Sequence, residues 1–229
     1  MKSNHLETDE AYDIWAKTYD DYDNPMIAMC EVAFSETCPT VDGLDVIEFG
    51  CGTGRNLVKF ANGGAKTLVG LDFSAGMLQK AKELELANTR LLQHDIAQKA
   101  PLEDESGDLA TFMLVLEHIE DLTLPLQESW RLLRPGGHLF IAEIHPYLAL
   151  KGTAAHFEAE GVKYTMPTFS HDVSHYINGL CDAGFEINKV NEWRPSVKAS
   201  EKSEKVKKHG NVPYLLSILC RKPSRVVAP

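Results

Sequence analysis

The sequence predicts an α/β fold in which helices cover both faces of a mainly parallel, seven-stranded sheet. After residue 44, short β-rich runs alternate with segments whose apolar residues recur at helical spacing. This alternation is typical of crossover units, in which a helix joins neighbouring parallel strands. The run at residues 108–114 is almost unbroken in its apolarity, as expected for a strand buried on both faces. We therefore place that run near the centre of the sheet.

The elements can be assigned in order along the chain. Strands are predicted at residues 44–49, 67–72, 89–95, 108–114, 138–144, 186–193 and 214–221. Helices are predicted at residues 54–62, 75–88, 124–133 and 172–183. Gly63-Gly64 and Pro135-Gly136-Gly137 follow two of these helices and would end them, because glycine and proline disfavour helix continuation. The last two strands are joined by a charged loop around Lys202.

Two segments depart from this alternation. Residues 1–43 are predicted to form a helical cap over one end of the sheet, with an aromatic, acidic face. Residues 155–166 alternate around Glu160-Gly161 and predict a β-hairpin, within an insertion at residues 146–169 that we interpret as a lid. A chain of 229 residues has the size of one α/β domain, so we expect a single domain over residues 1–229.

Charge and cysteine content restrict the partners and the compartment. The chain has 33 acidic and 23 basic residues, a formal net charge of −10, which opposes tight binding to nucleic acid. The densest basic stretch, residues 198–208, is interrupted by Glu201 and Glu204 and is interpreted as a solvated loop. Five cysteines without a C-x-x-C pair fit reduced thiols. With no signal-like start and no apolar run of membrane-spanning length, we expect a cytoplasmic protein without a membrane span.

A glycine loop follows the first predicted strand. Gly50, Gly52 and Gly54 occupy alternate positions where the strand turns into a helix, so backbone N–H groups can approach a ligand at the carboxyl edge of the sheet. The dinucleotide pattern needs a glycine at the position of Arg55, so the loop suits a nucleotide-like ligand that lacks phosphates. Asp72 ends the second strand, where a carboxylate can accept hydrogen bonds from both hydroxyls of a ribose.

The motifs around this loop resemble those of a known enzyme family. The segments, in order along the chain, are Val46-Ile47-Glu48-Phe49-Gly50-Cys51-Gly52-Thr53-Gly54, Leu71-Asp72-Phe73-Ser74-Ala75-Gly76-Met77-Leu78, His94-Asp95-Ile96, Leu114-Val115-Leu116-Glu117-His118 and Leu132-Leu133-Arg134-Pro135-Gly136-Gly137. Together they resemble the class I S-adenosylmethionine-dependent methyltransferases over residues 12–143. The resemblance implies a Rossmann-like fold with strand order 3-2-1-4-5-7-6 and an antiparallel last strand. It also implies S-adenosyl-L-methionine as cofactor and S-adenosyl-L-homocysteine as product.

The same resemblance assigns residues to the cofactor pocket. Tyr12 and Tyr19 would cap the cofactor, Asp72 would bind its ribose, and Asp95 would contact the adenine amino group. The other pocket residues that the resemblance implies are Glu48, Gly50, Gly52, Phe73, Met77, Ile96 and Leu114. Each position also has a simpler interpretation, in which the glycines form only a tight turn, Asp72 caps a helix and Met77 belongs to the core.

Histidines near the carboxyl ends of the fourth and fifth strands are candidate catalytic bases. Methyl transfer from a sulfonium is an in-line displacement that needs a base only when the acceptor atom carries a proton. We select His145 first and His118 second, because imidazole accepts a proton near neutral pH. The alternative is that each histidine is structural. His171 and His175 could also hold a metal together with His145 or Glu143, but the chemistry demands none and we predict no metal.

The acceptor is expected to be a small molecule. Ala11-Tyr12-Asp13 and Thr18-Tyr19-Asp20, together with residues 133–137, are similar to enzymes of the ubiquinone/menaquinone methyltransferase type. Aromatic side chains of the lid could close over an apolar acceptor; they are Phe157, Tyr164 and Phe169. A protein- or nucleic-acid-directed methyltransferase and a non-catalytic relative that binds the cofactor or its product are the alternatives. The sequence leaves open whether O, N or C is methylated and whether the chain forms a homodimer.

Overall fold

The computed structural model describes residues 2–224 and has the predicted α/β architecture. Its strands are β1 (Lys2–His5), β2 (Asp45–Phe49), β3 (Thr67–Asp72), β4 (Thr89–Gln93), β5 (Gly107–Met113), β6 (Leu133–Ile144), β7 (His156–Ala159), β8 (Val162–Thr165), β9 (Glu186–Trp193) and β10 (Leu215–Arg221). Its α-helices are α1 (Thr8–Trp15), α2 (Pro25–Thr37), α3 (Arg55–Asn62), α4 (Ala75–Glu83), α5 (Thr123–Leu132), α6 (Pro146–Leu150), α7 (Val173–Asp182) and α8 (Val197–Lys202). Short 3₁₀ helices cover Tyr19–Asp21, Leu116–His118 and Glu204–His209. Within residues 2–224, no helix combines the length and apolarity needed to span a membrane.

The main sheet has seven strands in the order β4-β3-β2-β5-β6-β10-β9. The pairs from β4 to β6 are parallel, whereas β10 runs antiparallel to both of its neighbours, β6 and β9. The predicted order 3-2-1-4-5-7-6 and the antiparallel last strand are therefore confirmed. From β2 the chain adds β3 and then β4 on one side, and it returns to add β5 and then β6 on the other side. The order in which strands are added therefore reverses beside β2. Ligands of such sheets bind at the carboxyl ends of the strands that flank this reversal.

Both faces of the central strands are buried. Along β2, Val46 packs into a core that includes α2 and α3, whereas Ile47 and Phe49 pack into a core that includes α5 and α7. Phe49 stacks on Phe112 of β5, with 4.5 Å between the ring centroids. Burial on two faces explains the almost continuous apolarity of these strands, and it holds their carboxyl ends in fixed positions.

The amino-terminal segment and the lid hairpin form a second, smaller sheet. β7 and β8 make the predicted antiparallel hairpin, and β1 adds to β8 in parallel. The prediction of helices alone in residues 1–43 is wrong at β1, whose sequence Lys-Ser-Asn-His shows no apolar alternation. Trp15 of α1 stacks on Phe157 at 4.8 Å, and Phe157 stacks on Tyr164 at 5.0 Å. These rings attach the amino-terminal segment to the hairpin.

The charged segment after β9 is helical, so its interpretation as a solvated loop is wrong. α8 and the 3₁₀ helix Glu204–His209 pack against α2 through Ala199 and Val206, which are fully buried. Lysines of α8 instead form ion pairs on the outer surface, where Lys202 lies 2.8 Å from Glu31. Two small apolar side chains among many charged residues do not by themselves predict a helix. Their role becomes clear only from their packing against α2.

Candidate active site

A cavity of about 630 Å³ opens at the carboxyl ends of the parallel strands. It is bounded by the loops that follow β2, β3, β4 and β5, and it is covered by α1 and the turn at Tyr19–Asp21. We call it the main cavity. Its volume lies within the range of about 300–1,000 Å³ that is usual for small-molecule sites. The cofactor residues named from the sequence that line it are Tyr12, Tyr19, Gly50, Gly52, Asp72, Phe73, Met77, Asp95, Ile96 and Leu114.

The glycines of the loop after β2 meet two different requirements. Gly50 has a φ of +70°, and a Cβ added there would lie 2.3 Å from Cγ2 of Val115, so this position tolerates no side chain. Gly52 also has a positive φ, of +53°, but a Cβ added there would meet no atom within 4 Å. Gly50 therefore lets two loops of the protein pack together, whereas Gly52 leaves its open side to the main cavity.

Asp72 connects the glycine loop to the turn after β3. Its Oδ2 accepts a hydrogen bond from the N–H of Gly52 at 2.7 Å, and its Oδ1 accepts one from the N–H of Ser74 at 2.9 Å. The helix N-cap of α4 is Ser74, so Asp72 does not cap that helix. Burial raises the pKa of Asp72 to about 6, although the backbone N–H groups oppose this shift. A carboxylate has about four acceptor sites, so both oxygens can take further donors from the cavity.

Two aspartates that were not selected from the sequence hold the cap in place, Asp13 on the turn after β3 and Asp20 on the glycine loop. Asp13 accepts hydrogen bonds from the Ser74 hydroxyl at 2.6 Å and from the N–H of Gly76 at 2.8 Å. Asp20 accepts from the Thr53 hydroxyl at 3.0 Å and pairs with Arg55 at 2.8 Å. The available signal was the repeated Tyr-Asp pair, in which each aspartate follows a cavity tyrosine directly.

The carboxyl end of β5 carries a strained residue at the cavity wall. Leu114 has a φ of +58°, a conformation that non-glycine residues seldom adopt. The next two N–H groups, of Val115 and Leu116, both donate to Oε1 of Glu143 at 3.1 Å. Glu143 of β6 therefore holds the turned backbone in place. Strain of this kind is often found at binding sites, where the surrounding contacts maintain it.

On the far side of the cavity, Asp95 and Ile96 follow β4. The Asp95 carboxylate accepts from the N–H of Ala97 at 2.9 Å and from the Gln98 side chain at 3.1 Å, which orders the loop. Ile96 is buried and contributes an apolar wall. The arrangement places an apolar side chain beside an acidic group at the cavity wall.

Glu48 lies behind the glycine loop and is not among the residues that line the main cavity. It is fully buried, and its Oε1 accepts a hydrogen bond from the Asn56 side chain at 2.8 Å. Its Oε2 has no hydrogen-bond partner within residues 2–224. Burial raises the pKa of Glu48 to about 8. Its contacts are with the protein, so any influence on a ligand acts through the loop.

His118 faces the main cavity with one basic nitrogen. Its Nδ1 lies 3.0 Å from the Pro167 carbonyl, which can only accept, so Nδ1 carries the proton. Its Nε2 accepts a hydrogen bond from the Tyr12 hydroxyl at 2.9 Å. Burial lowers the pKa of His118, which keeps the ring neutral at physiological pH.

His145, the first candidate from the sequence, is placed elsewhere. It lines neither the main cavity nor the smaller cavity beside it. Its Nδ1 accepts from the N–H of Tyr147 at 3.1 Å at the start of α6, and its Nε2 lies 3.0 Å from Glu192. Both nitrogens therefore serve structural contacts.

His171 and His175 are also engaged in structural contacts. The Nε2 of His171 donates to the Ile119 carbonyl at 2.7 Å, and His175 closes the capping box of α7 with Asp172. Across residues 2–224, no group of three or more His, Cys, Asp or Glu side chains has the arrangement of a metal site.

Comparisons with known proteins agree with this geometry. Residues 47–141 match the methyltransferase domain family. The chain is 30% identical over 227 aligned residues to the uncharacterized methyltransferase AN0656 of Emericella nidulans, covering 82% of this chain and 78% of that protein. It is 30% identical over 151 residues to the ubiquinone biosynthesis O-methyltransferase of Leptothrix cholodnii, covering 62% of this chain and only 61% of the relative.

Solved structures show the same fold. An S-adenosylmethionine-dependent methyltransferase from Mesorhizobium loti superposes with a TM-score of 0.73 at 23% identity, covering 86% of this chain and 99% of that chain. The complex of DhpI with SAM and HEP superposes with a TM-score of 0.70 at 21% identity, covering 93% and 94% of the two chains. The chain therefore belongs to the class I S-adenosylmethionine-dependent methyltransferases, and S-adenosyl-L-methionine is its cofactor.

Proposed function

We propose that this enzyme transfers the methyl group of S-adenosyl-L-methionine to a small molecule bound in the main cavity. The observation that carries the proposal is the convergence on one cavity of every cofactor residue named from the sequence except Glu48, together with His118. When bound, the cofactor supplies a methyl group on a sulfonium, which is already activated as a leaving group. The chain then needs to align the two molecules and to exclude water.

The residues present fit this cofactor. Gly52 leaves open space where a backbone N–H can lie close to a ligand, and Asp72 presents a buried carboxylate with unused acceptor sites. We propose that Asp72 binds the ribose hydroxyls and that Asp95 and Ile96 hold the adenine. Tyr12 and Tyr19 would cover the cofactor.

We propose that His118 is the base when the acceptor atom carries a proton. Its Nε2 is the unprotonated nitrogen, and its partner at 2.9 Å is the Tyr12 hydroxyl. A proton can pass in one step if the Tyr12 oxygen takes it from the acceptor and Tyr12 gives its own proton to Nε2 of His118. The lowered pKa of His118 keeps Nε2 free to accept, although it makes the resulting imidazolium costly. This relay suits an acceptor that becomes acidic as methylation proceeds.

A small acceptor is favoured over a macromolecule by charge and enclosure. The net charge of −10 opposes nucleic acid, and the cap covers the main cavity through Asp13 and Asp20. The Leptothrix cholodnii relative is named as acting in ubiquinone biosynthesis, and we extend to this chain only the size class of that substrate. Cytoplasmic location is part of the proposal.

Two measurements test the proposal. Calorimetry should detect binding of S-adenosyl-L-methionine to the purified chain, and a screen of small acceptors with methyl-labelled cofactor should yield a product heavier by one labelled methyl group. Binding without any labelled product would favour a non-catalytic cofactor-binding protein. Labelled protein or nucleic acid, with no labelled small molecule, would favour the macromolecular alternative.

A further inference from the structure

A second cavity, of about 190 Å³, lies beside the main cavity between the end of β6 and the start of α7. Phe169 lines both cavities, so the two cavities lie next to each other with Phe169 between them. Phe157 and Tyr164, which the sequence placed with Phe169 as acceptor contacts, line neither. The polar and aromatic groups at the second cavity include Glu117, Glu143, His171 and Tyr176.

Glu143 lines this cavity and has a carboxylate oxygen that is buried without a partner in the described part of the chain. The residue is only 1% exposed, and its Oε1 is used by the N–H groups of Val115 and Leu116. Its Oε2 has no hydrogen-bond partner in the described part of the chain. Burial raises the pKa of Glu143 to about 8. A buried carboxylate without a partner is costly unless another group supplies the missing donor.

The second carboxyl group at this cavity, Glu117, pairs with no lysine or arginine within residues 2–224. Burial raises its pKa to about 7. Within residues 2–224 its one ion-pair contact is with Nε2 of His118 at 3.8 Å, and that nitrogen accepts a hydrogen bond from Tyr12. No lysine or arginine is among the residues that line the cavity. Two carboxyl groups therefore face a small space that contains no positive side chain.

The other titratable groups that line the second cavity are His171 and Tyr176. His171 donates its Nε2–H to the Ile119 carbonyl, which leaves Nδ1 as an acceptor. The rings of His171 and Tyr176 meet edge to face at 5.8 Å. Acceptors and aromatic rings, with no cation, complement a ligand that is a positively charged donor.

We infer that the second cavity binds an ammonium group of the methyl acceptor, which is therefore an amine-bearing small molecule whose reacting atom lies in the main cavity. The inference rests on the proposed function, because it assigns the acceptor to the same site. An organic cation fits better than a metal ion, since the described residues form no metal-binding group there. An ammonium supplies up to three N–H donors, enough for Oε2 of Glu143 and for Glu117.

The test uses the full-length chain without cofactor, with n-propylammonium as the probe and 1-propanol as its neutral counterpart. Calorimetry at pH 8.5 should show binding of propylammonium and not of propanol. Glu143→Gln keeps an acceptor for Val115 and Leu116 and should weaken propylammonium binding by about tenfold or more. Glu103→Gln, which removes an exposed carboxylate, should leave the affinity unchanged.

A second readout depends on protons and uses only the wild-type chain. At pH 6.5 the cation should displace protons from Glu143 and Glu117, so the binding heat should vary with the ionisation enthalpy of the buffer. At pH 9 this dependence should disappear. Equal binding of propanol and propylammonium, unchanged affinity in Glu143→Gln, or no proton release at pH 6.5 would overturn the inference. If cofactor binds but propylammonium does not, the inference alone fails; if cofactor does not bind, the proposed function fails.

Discussion

Contacts reach different distances along the chain in two parts of the molecule: the loops around Asp72, which we call the proposed cofactor side, and the surroundings of His118 and the second cavity, which we call the proposed acceptor side. On the proposed cofactor side, Asp72 joins the N–H groups of Gly52 and Ser74, which lie 20 and 2 residues away. On the proposed acceptor side, His118 bonds to the Pro167 carbonyl across 49 residues, and His171 bonds to Ile119 across 52. The loops around Asp72 thus come from one sheet edge, whereas the cap held by Asp13 and the proposed acceptor side both require distant parts of the chain to dock.

A buried carboxylate on each side sharpens this comparison. Glu48 and Glu143 are both buried, both have a pKa raised to about 8, and both have one oxygen without a partner in the described chain. Glu48 lines neither cavity, and Glu143 lines the second. The two carboxylates therefore differ in position, because only Glu143 is among the residues that line a cavity.

The largest expected effect concerns backbone packing on the proposed cofactor side. Gly50→Ala should lower the free energy of unfolding by about 2–5 kcal/mol, because the new Cβ clashes with Val115 and the positive φ is strained. Gly43→Ala is the matched control, since Gly43 has a φ of +73° but no atom within 4 Å of its Cβ position. Guanidinium denaturation measures both. Equal losses in the two variants would show that Val115 is not a rigid neighbour.

The next prediction tests whether ionisation of the buried Glu48 lowers the free energy of unfolding. The pKa of Glu48 is about 8 in the folded protein, above its pKa in the unfolded chain. Its contribution to the free energy of unfolding is therefore greatest at a pH below the unfolded-state pKa, and it is lost as the pH rises to the folded-state pKa. Glu48→Gln stays neutral and keeps an acceptor for Asn56. Relative to wild type, its free energy of unfolding should therefore rise by roughly 2–4 kcal/mol between pH 5 and pH 8.5.

Denaturation at the two pH values gives this difference directly. Glu103→Gln removes an exposed carboxylate and should show no comparable trend. A difference for Glu48→Gln that stays constant with pH would mean that water reaches the buried oxygen.

A smaller effect tests the cofactor role of Asp72. Asp72→Asn should weaken binding of S-adenosyl-L-homocysteine by about 1–3 kcal/mol, because a neutral amide is a poorer acceptor for ribose hydroxyls. Wild-type affinity should also fall as pH drops below about 6, where Asp72 becomes protonated, and the variant should lose this pH dependence. Calorimetry measures both. Asp182→Asn, at an exposed position on α7, is the control, and matching affinities for the two variants would remove Asp72 from the ribose site.

The smallest effect tests the link between the cap and the proposed acceptor side. Tyr12→Phe removes the hydrogen bond to Nε2 of His118 and should lower the free energy of unfolding by about 0.5–1.5 kcal/mol. If the relay operates, the same variant should slow methyl transfer to an acceptor whose reacting atom carries a proton. Tyr164→Phe is the control, because Tyr164 packs by stacking on Phe157. An unchanged rate in Tyr12→Phe would leave His118 to act without Tyr12.

Local signals were sufficient for the main sheet and the hairpin β7–β8, but insufficient for β1 and α8. The central strands are buried on both faces, so their apolar runs are visible in the sequence. β1 pairs with a strand about 160 residues later, and its own four residues carry no pattern. α8 is recognisable only through the two small side chains that it packs on α2. In each case the stabilising contact lies in another part of the chain.

The sequence by itself determined the fold class and named the residues that we propose bind the cofactor, because alternate glycines and a strand-terminal aspartate act through backbone geometry within one sheet edge. Only the tertiary structure decided which of the two candidate bases lines the main cavity. His118 and His145 both follow strands, but the partners that orient them, Tyr12 with Pro167 and Glu192 respectively, lie 47 to 106 residues away. A histidine can act as a base only through a ring nitrogen that is free to accept a proton. Hydrogen bonds to residues this far away in the sequence decide which nitrogen is free, and they leave no local sequence pattern.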